Sequence, residues 1–480
     1  MKVTFLIPPS IEKRAAERLF GCNWGVYFQP CIFILYSAAI LEKYGHKVNF
    51  LDCPIEKINK KQFEKFIAND DSDAYVFYTV FLAEPTDLFW AREIREHNKN
   101  VLIVFMGPEP TNRPDAFLLG NNTVVIRGEA EETIKELFEK NQSLKDIKGL
   151  SWINEEGKHI YNPSRPINQN LDKLPFPSRH LLKNPERYFN PKLLGRPSTV
   201  MLTSRGCYGR CVFCIPCSYS FAREIEYKRY HNKQKPIGGL RSPENIAKEF
   251  KLVKKQGYKS VAIIDDLFVW GEERTIKICN LIKSLKMEFG ILARANEIRS
   301  QRLANALAGA GCNYVDIGVE TLDERVLKWI KKDITIGDVL QAIYFLKNAG
   351  IIPKINLLLG VSPYETEEMI KNTVNRLIDM DLDIVTFGVT LPHPGTEFYQ
   401  ICKKNKWFVT KTKDYEPADP LEEGIVSYPN GLSNKDYARL VRWCYRRFYI
   451  RPSFIWKRLK KIRSLRRFKE ELIVFLNIMR

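Results

Sequence analysis

Strand-length apolar segments alternate with amphipathic helical patterns in two successive stretches of this chain, and that rhythm constrains its fold more than any other feature. In the first stretch, residues 2–8, 47–52, 74–81, 101–107 and 123–127 have the length and the β-branched or aromatic content of strands. Residues 30–44, 85–97 and 131–140 carry helical spacing between them. Parallel strands need crossover connections, so this alternation predicts a parallel sheet covered by helices on both faces. In an open sheet of that kind ligands sit beyond the carboxyl ends of the strands. The turns 106–111 and 127–133 follow two of those strands and therefore lie at that rim.

Residues 145–198 lose the rhythm. Segments 149–154 and 158–161 flank Glu155, Glu156 and Gly157 as a hairpin would, and 174–178 reads as an extended, proline-rich connector. Alternation then resumes with strands at 199–203, 260–264, 289–293, 314–319, 354–359 and 384–390. Helical patterns at 243–256, 272–286, 300–310, 323–331, 337–349 and 366–380 separate or follow them. A continuous series of βα units predicts a partial barrel whose active site lies at the C-terminal face of its strands. At 480 residues the chain is long enough for two or three domains.

Directly after the first strand of that series, residues 206–214 read GCYGRCVFC and place Cys207, Cys211 and Cys214 in a C-x3-C-x2-C pattern. Three thiolates at this spacing can each take one iron of a [4Fe–4S] cube and leave the fourth iron without a protein ligand. Structural zinc is disfavoured, because no second cysteine or histidine pair follows at finger-like spacing. Cys217 extends the run by a further C-x2-C step, so a cluster with four protein ligands stays open on spacing alone.

Composition narrows the setting. The 45% hydrophobic and 27% charged content is that of a globular protein. The opening MKVTFLIPP reads as a buried strand rather than a secretory signal, and no apolar run reaches membrane-span length. Eleven cysteines without a secretion signal predict reduced thiols and a cytoplasmic address. The net charge of +19 is partly local: residues 451–480 carry ten Lys or Arg against Glu470 and Glu471. Phe454, Ile455, Leu459, Ile462 and Leu465 recur there at helical spacing among the basic residues, which predicts a basic amphipathic helix. Such a helix suits docking on the protein itself or peripheral contact with an anionic membrane, and no nucleic-acid-binding module accompanies it. A serine or cysteine hydrolase is disfavoured, since no G-x-S-x-G elbow occurs.

The cysteine loop and the strand endings after it resemble the radical S-adenosylmethionine (SAM) enzymes. Residues 1 to about 400 resemble their cobalamin-binding subclass, the group of class B methyltransferases and anaerobic Mg-protoporphyrin ester cyclases. The matched segments are ARA at 293–295, GVET at 318–321, VLKWIK at 326–331, LLG at 358–360 and LPHPGT at 391–396. The resemblance implies an N-terminal Rossmann-like (flavodoxin-like) domain at 1–145 and a linker at 146–198. It further implies a partial (β/α)6 TIM-type barrel at 199–400 and a basic helical region at 401–480. It implies a [4Fe–4S] cluster on Cys207, Cys211 and Cys214, and SAM held by Phe213, Asp265, Asp266, Arg294 and Glu320. Asp265 and Asp266 stand where the family usually has a Gly-Gly-Glu type motif for the SAM amino group, and helix capping is the alternative use of either. Cobalamin would lie on Thr79, Gly107, Pro108, Glu109, Thr111, Gly128 and Glu129. This chain lacks a D-x-H-x-x-G run, and carries Met106 and Glu109 where the family usually has Gly and His. His393, between prolines at a strand ending, is a candidate to face substrate.

The implied activity is reductive cleavage of SAM followed, with cobalamin, by methylation of an unactivated carbon in a small-molecule or lipid substrate. The electron would come from a flavodoxin or ferredoxin. Non-methylating oxidative cyclisation or rearrangement is the alternative within enzymes. A four-ligand iron–sulfur electron-transfer or sensor protein, with Cys217 as fourth ligand, is the alternative outside them.

Overall fold

The structure, a computed structural model, describes residues 1–20, 27–139, 143–409, 426–429 and 431–460. It divides into two compact units. The first comprises Met1–Tyr208, Ile215–Leu292 and Asn305–Tyr314, and the second Gly209–Cys214, Ala293–Ala304 and Val315–Arg480.

The first unit opens with a seven-stranded sheet formed by β1 (Lys2–Ile7), β2 (Lys47–Asp52), β3 (Ala74–Tyr78), β4 (Leu102–Met106), β5 (Thr123–Ile126), β6 (Leu150–Ile153) and β7 (His159–Tyr161), in the order β2-β1-β3-β4-β5-β6-β7. β1 to β5 pair in parallel, and the hairpin β6–β7 adds two antiparallel strands at one edge. Strand order reverses at β1, and such a reversal opens the crevice where α/β sheets hold ligands. All of β3 and β5 is buried, as befits strands covered on both faces. Helix Ile32–Lys43 is buried from Ile32 to Leu41, whereas helix Lys60–Asn69 buries only Phe63 and Ile67. That second helix escapes the apolar pattern because two residues one turn apart are all it contributes to the core. Its signature is the capping box between Asn59 and Gln62.

The same unit continues with β8 (Ser198–Met201), the short antiparallel pair β9 (Ser204–Arg205) and β10 (Gly239–Leu240), β11 (Ser260–Ile263) and β12 (Glu288–Ala293). β8, β11 and β12 run parallel with β11 in the middle. Helix Ser218–Tyr230, absent from the apolar pattern, lies between β9 and β10 in the chain.

The second unit holds most of β13 (Cys312–Glu320) together with the parallel pair β14 (Ile352–Leu359) and β15 (Ile384–Val389). Helix Asn434–Tyr449 packs on β15, with the Tyr445 and Tyr449 hydroxyls accepting from the Phe387 and Val385 amides. Helix Pro452–Lys460 buries Phe454 and pairs Lys457 with Asp381 and Asp383, so this part of the basic region docks on its own unit. Ile462 and Leu465 lie outside the described residues. Among those described, no helix is long and apolar enough to cross a membrane.

Candidate active site

The residues around the cysteine loop are fixed first by a buried charge cluster behind it. Glu249, 0% exposed, accepts from Arg179 at 2.6 Å and from Arg241. Those guanidinium groups in turn hold the Val200 and Leu202 carbonyls at 2.7 and 2.8 Å, where β8 ends. Asp265 takes the next step. Its carboxylate accepts from the Thr203 amide at 2.6 Å, the Thr203 hydroxyl and the Ser204 hydroxyl at 2.8 Å. Burial pushes Asp265 up to about 6, with the Thr203 and Ser204 bonds opposing it.

Asp266 then closes the loop at its base. One carboxylate oxygen accepts from the Gly206 amide at 2.9 Å and the other from the Cys217 amide at 2.6 Å, so a single side chain ties the residues on either side of the three cysteines. Gly206 has φ +83°, and a Cβ there would stand 3.1 Å from Arg223 Nη1. Asp265 thus holds the chain just after β8, and Asp266 the base of the loop. The sequence offered both for the SAM amino group, with helix capping as the other use of either.

Within the second unit, the loop's far side is held through its backbone. The Val212 amide donates to the Ile330 carbonyl at 3.1 Å, and its carbonyl accepts from Phe398 at 2.8 Å. Cys214 N–H closes a tight turn on the Cys211 carbonyl at 3.2 Å, and Phe213 is half-buried. Arg294 Nη1 lies 3.9 Å from Cys211 Sγ while its Nη2 donates to the Lys332 carbonyl. Lys332 Nζ in turn donates to Glu320 Oε1 at 2.7 Å. The structure thus links Arg294 and Glu320 through Lys332, a residue that sequence reasoning passed over because it sits in a basic turn.

Glu320 ends β13 with φ +69°, a conformation that costs a non-glycine residue of order 1–3 kcal/mol and gathers at functional sites. Gly318 makes room for the pair: a Cβ there would sit 2.5 Å from Glu320 Oε1 and 2.8 Å from Lys332 Nζ. Gly318→Ala is expected to push these two flexible side-chain ends apart and break the pair, at the low end of overpacking costs, about 1 kcal/mol, read by chemical denaturation. His393 is buried, and burial pushes its imidazole down to about 3, so it is neutral at neutral pH.

The cysteines divide by environment. Cys207, Cys211 and Cys214 are half-buried, whereas Cys217 is 1% exposed, and burial holds its thiol well above the ordinary range. Cys217 donates to the Ser220 hydroxyl at 3.4 Å and begins helix Ser218–Tyr230. Metal ligation needs thiolates, which accessible sulfurs supply more readily than buried ones. Among the described residues, no group of three or more His, Cys, Asp or Glu is arranged to hold a metal ion. A four-iron cube makes a different demand, one thiolate on each of three irons, and the donor set here is of that chemical kind.

The seven residues expected at the sheet rim do come together. Thr111 Oγ1 donates to the Gly107 carbonyl at 2.7 Å and accepts from the Gly128 amide at 3.0 Å. A Cβ on Gly107 would meet the Thr79 carbonyl at 2.6 Å, and Thr79 Oγ1 donates to Asp87 at 2.8 Å. Glu109, on the short helix Pro108–Asn112, pairs with Arg113 at 2.7 Å. Glu129 pairs with Arg205 and Arg223, both at 3.1 Å.

What faces this rim is the chain's own helix Ser218–Tyr230. Ser218 Oγ lies 2.8 Å from the Tyr78 hydroxyl, Glu226 accepts from Arg127 at 3.1 Å, and the Tyr219 hydroxyl accepts from the Ala130 amide at 2.9 Å. A Cβ on Gly128 would stand 3.2 Å from Glu226 Cβ. The cavity lined by Arg127, Gly128, Glu129, Arg223 and Glu226 measures about 10 Å³, room for roughly one water. That cavity is too small for a corrinoid, and a second one of about 270 Å³ lies beside it, sharing Arg165, Pro166, Ile167 and Tyr227.

Residues 201–377 match the model of the radical SAM superfamily. The chain is 29% identical over 467 residues to an uncharacterized methyltransferase of Pyrococcus horikoshii, a match covering 95% of this chain and 94% of the relative. It is 23% identical over 485 residues to the anaerobic magnesium-protoporphyrin IX monomethyl ester cyclase of Rubrivivax gelatinosus, covering 98% and 81%. Among solved structures, the radical SAM methyltransferase TsrM of Kitasatospora setae, with cobalamin and a [4Fe–4S] cluster bound, matches with a TM-score of 0.66 at 16% identity, covering 92% of this chain and 84% of its own. The cobalamin-dependent SAM radical enzyme OxsB, with aqua-cobalamin and SAM bound, matches with a TM-score of 0.70 at 17% identity, covering 99% and 70%. At these identities the structural likeness establishes a shared α/β fold with parallel sheets.

Proposed function

Since the chain belongs to the radical SAM superfamily and is a radical SAM enzyme, we propose that it cleaves SAM reductively and uses the resulting radical to methylate an unactivated carbon of a small-molecule substrate. The observation that carries this reading is the cysteine loop: three half-buried thiols in a C-x3-C-x2-C run after β8, with Cys217 sealed in the interior. A [4Fe–4S] cluster with one open iron supplies the binding point for SAM and the electron that breaks its sulfonium bond. In this reading Cys207, Cys211 and Cys214 ligate it, Asp266 holds the loop base, and Arg294 places a cation beside the Cys211 sulfur. The charge of Arg294 offsets thiolate charge there, and the Glu320–Lys332 pair at the end of β13 offers polar groups to SAM. A flavodoxin or ferredoxin would deliver the electron.

The strand order β2-β1-β3-β4-β5 supports a flavodoxin-like N-terminal domain at 1–145. The βα series supports a partial barrel at 199–400, with 146–198 as linker and 401–480 as a basic helical region. Cobalamin is the second cofactor of the reading. Its support is the family likeness and the gathered rim residues. The likeness to the anaerobic magnesium-protoporphyrin IX monomethyl ester cyclase favours a second reading, a radical cyclisation or rearrangement without methyl transfer.

Anaerobic reconstitution with iron and sulfide, followed by a low-potential reductant and SAM, is expected to yield 5′-deoxyadenosine. A reconstituted, reduced protein that forms none overturns the radical reading. Methylated product or its absence, once a substrate is found, separates the two reactions.

A further inference from the structure

We propose that Arg294 sets the reduction potential of the cluster on the cysteine loop: its guanidinium makes that cluster easier to reduce, and the turn at 331–333 positions it to do so. This rests on the reading of Cys207, Cys211 and Cys214 as ligands of a [4Fe–4S] cluster, and it adds what governs how readily the electron is accepted.

The first argument is placement. Arg294 is 5% exposed, and its Nη1 lies 3.9 Å from Cys211 Sγ. That is the long end of an N–H···S contact, so the charge matters here more than the hydrogen bond. Opposite charges about 4 Å apart attract roughly fourfold more strongly in a protein site than in bulk water. Reduction adds one negative charge to a cluster, and the potentials of such clusters follow net charge, hydrogen bonds to the sulfurs and exposure. A fixed cation beside a ligating sulfur therefore favours the reduced form.

The second argument is fixation. Arg294 Nη2 donates to the Lys332 carbonyl and, at 3.2 Å, to the Asp333 carbonyl, while its Nε donates to Asn296 Oδ1 at 3.3 Å. Asn296 Nδ2 reaches the same Asp333 carbonyl at 3.1 Å. A long side chain is thereby held with Nη1 toward the sulfur. The turn that presents two successive carbonyls to one guanidinium has Lys331 at φ +54° and Asp333 at φ +51°, left-handed conformations that non-glycine residues adopt at a cost and that gather at functional sites.

The third argument is the division of roles. Lys332 Nζ donates to Glu320 Oε1 at 2.7 Å, and both side chains are buried. The pair is neutral as a whole, and it pins the turn whose carbonyls hold Arg294. Lys332 is thus a positioning residue, and Arg294 acts by its charge.

The test is a redox titration of the anaerobically reconstituted full-length chain without SAM, read by the electron paramagnetic resonance of the reduced cluster. Leaving SAM out keeps any change in SAM binding from entering the result. Arg294→Gln, which removes the charge and keeps an N–H donor, is expected to lower the one-electron reduction equilibrium by at least about tenfold, a fall in midpoint of about 59 mV. Arg294→Lys, which keeps a charge, is expected to lie closer to wild type than Arg294→Gln. The offset between wild type and Arg294→Gln is expected to stay constant from about pH 6 to pH 8, since a guanidinium remains charged throughout. An Arg294→Gln protein with full iron content and the wild-type midpoint overturns the proposal and leaves the cluster reading standing. Equal, lowered midpoints in both variants overturn it too, because shape rather than charge would then be the cause. A wild type that assembles no cluster overturns the ligand reading itself. Should Arg294→Gln take up no iron, Asn296→Asp decides: a carboxylate on Nε offsets the guanidinium charge and is expected to lower the midpoint, and an unchanged midpoint overturns the proposal.

Discussion

Cys207→Ala, Cys211→Ala and Cys214→Ala are each expected to abolish the thiolate-to-iron absorption of the reconstituted protein and to reduce 5′-deoxyadenosine to the level of a protein-free control. Cys217→Ala is expected to retain both. The contrast follows from desolvation. A ligand must be a thiolate, and burial holds the Cys217 thiol well above its ordinary value. Its sulfur is engaged with Ser220, and its amide, rather than its side chain, serves the loop through Asp266. The sulfurs of the C-x3-C-x2-C run belong to residues that are only half-buried. The opposite result, loss of the cluster in Cys217→Ala, would turn the protein into the four-ligand electron carrier that the spacing alone permits. Iron content and product formation measured on the same preparations separate failure of cluster assembly from failure of SAM cleavage.

Glu249→Gln is expected to be among the most destabilising single substitutions in the first unit. Glu249 is buried between Arg179 and Arg241, which hold the Val200 and Leu202 carbonyls at the exit of β8. Removing the one anion leaves two guanidinium groups in the interior without compensation, a change that costs about 3–5 kcal/mol. Urea denaturation followed by tryptophan fluorescence measures it. The pH dependence carries a definite sign. Burial acts to raise the Glu249 carboxyl, but Arg241 and Arg179 overcome it and leave the group below its ordinary 4.5. Its contribution is therefore fully present above that ordinary value and fades as pH falls through the depressed one. The wild type should lose this increment in acid, and Glu249→Gln, having no carboxyl there, should lack that part of the acid limb. An unchanged denaturation midpoint at neutral pH would mean that the cluster does not support β8.

Legibility in the sequence followed the physical origin of each element. Strands β1, β3 and β5 were visible because their side chains are buried almost throughout, and such runs leave little room for polar residues. Helix Glu367–Asp379 was visible because Ile370, Val374 and Leu377 mark one face of it. Helix Lys60–Asn69 was obscured by having only Phe63 and Ile67 in the core, although its capping box was readable. Helix Ser218–Tyr230 was hidden for a different reason. Its inner face is polar, and a hydrophobic period cannot report a helix that buries arginine and glutamate against partners about ninety residues earlier in the chain. The scaffolding role of Asp265 and Asp266 was hidden in the same way, since their donors lie on the strand before them and around the cysteine loop.

The sequence by itself determined the chemistry at its starting point: which cysteines have cluster spacing, which strand they follow, and which superfamily they resemble. Spacing along the chain carries that information because local geometry does. Only the tertiary structure decided that Cys217 is sealed away, that one aspartate ties both ends of the cysteine loop, that Lys332 joins Arg294 to Glu320, and that the rim is covered by a helix of the same chain. Each of those outcomes depends on burial or on pairing between residues distant in sequence, and neither property exists until the chain has folded.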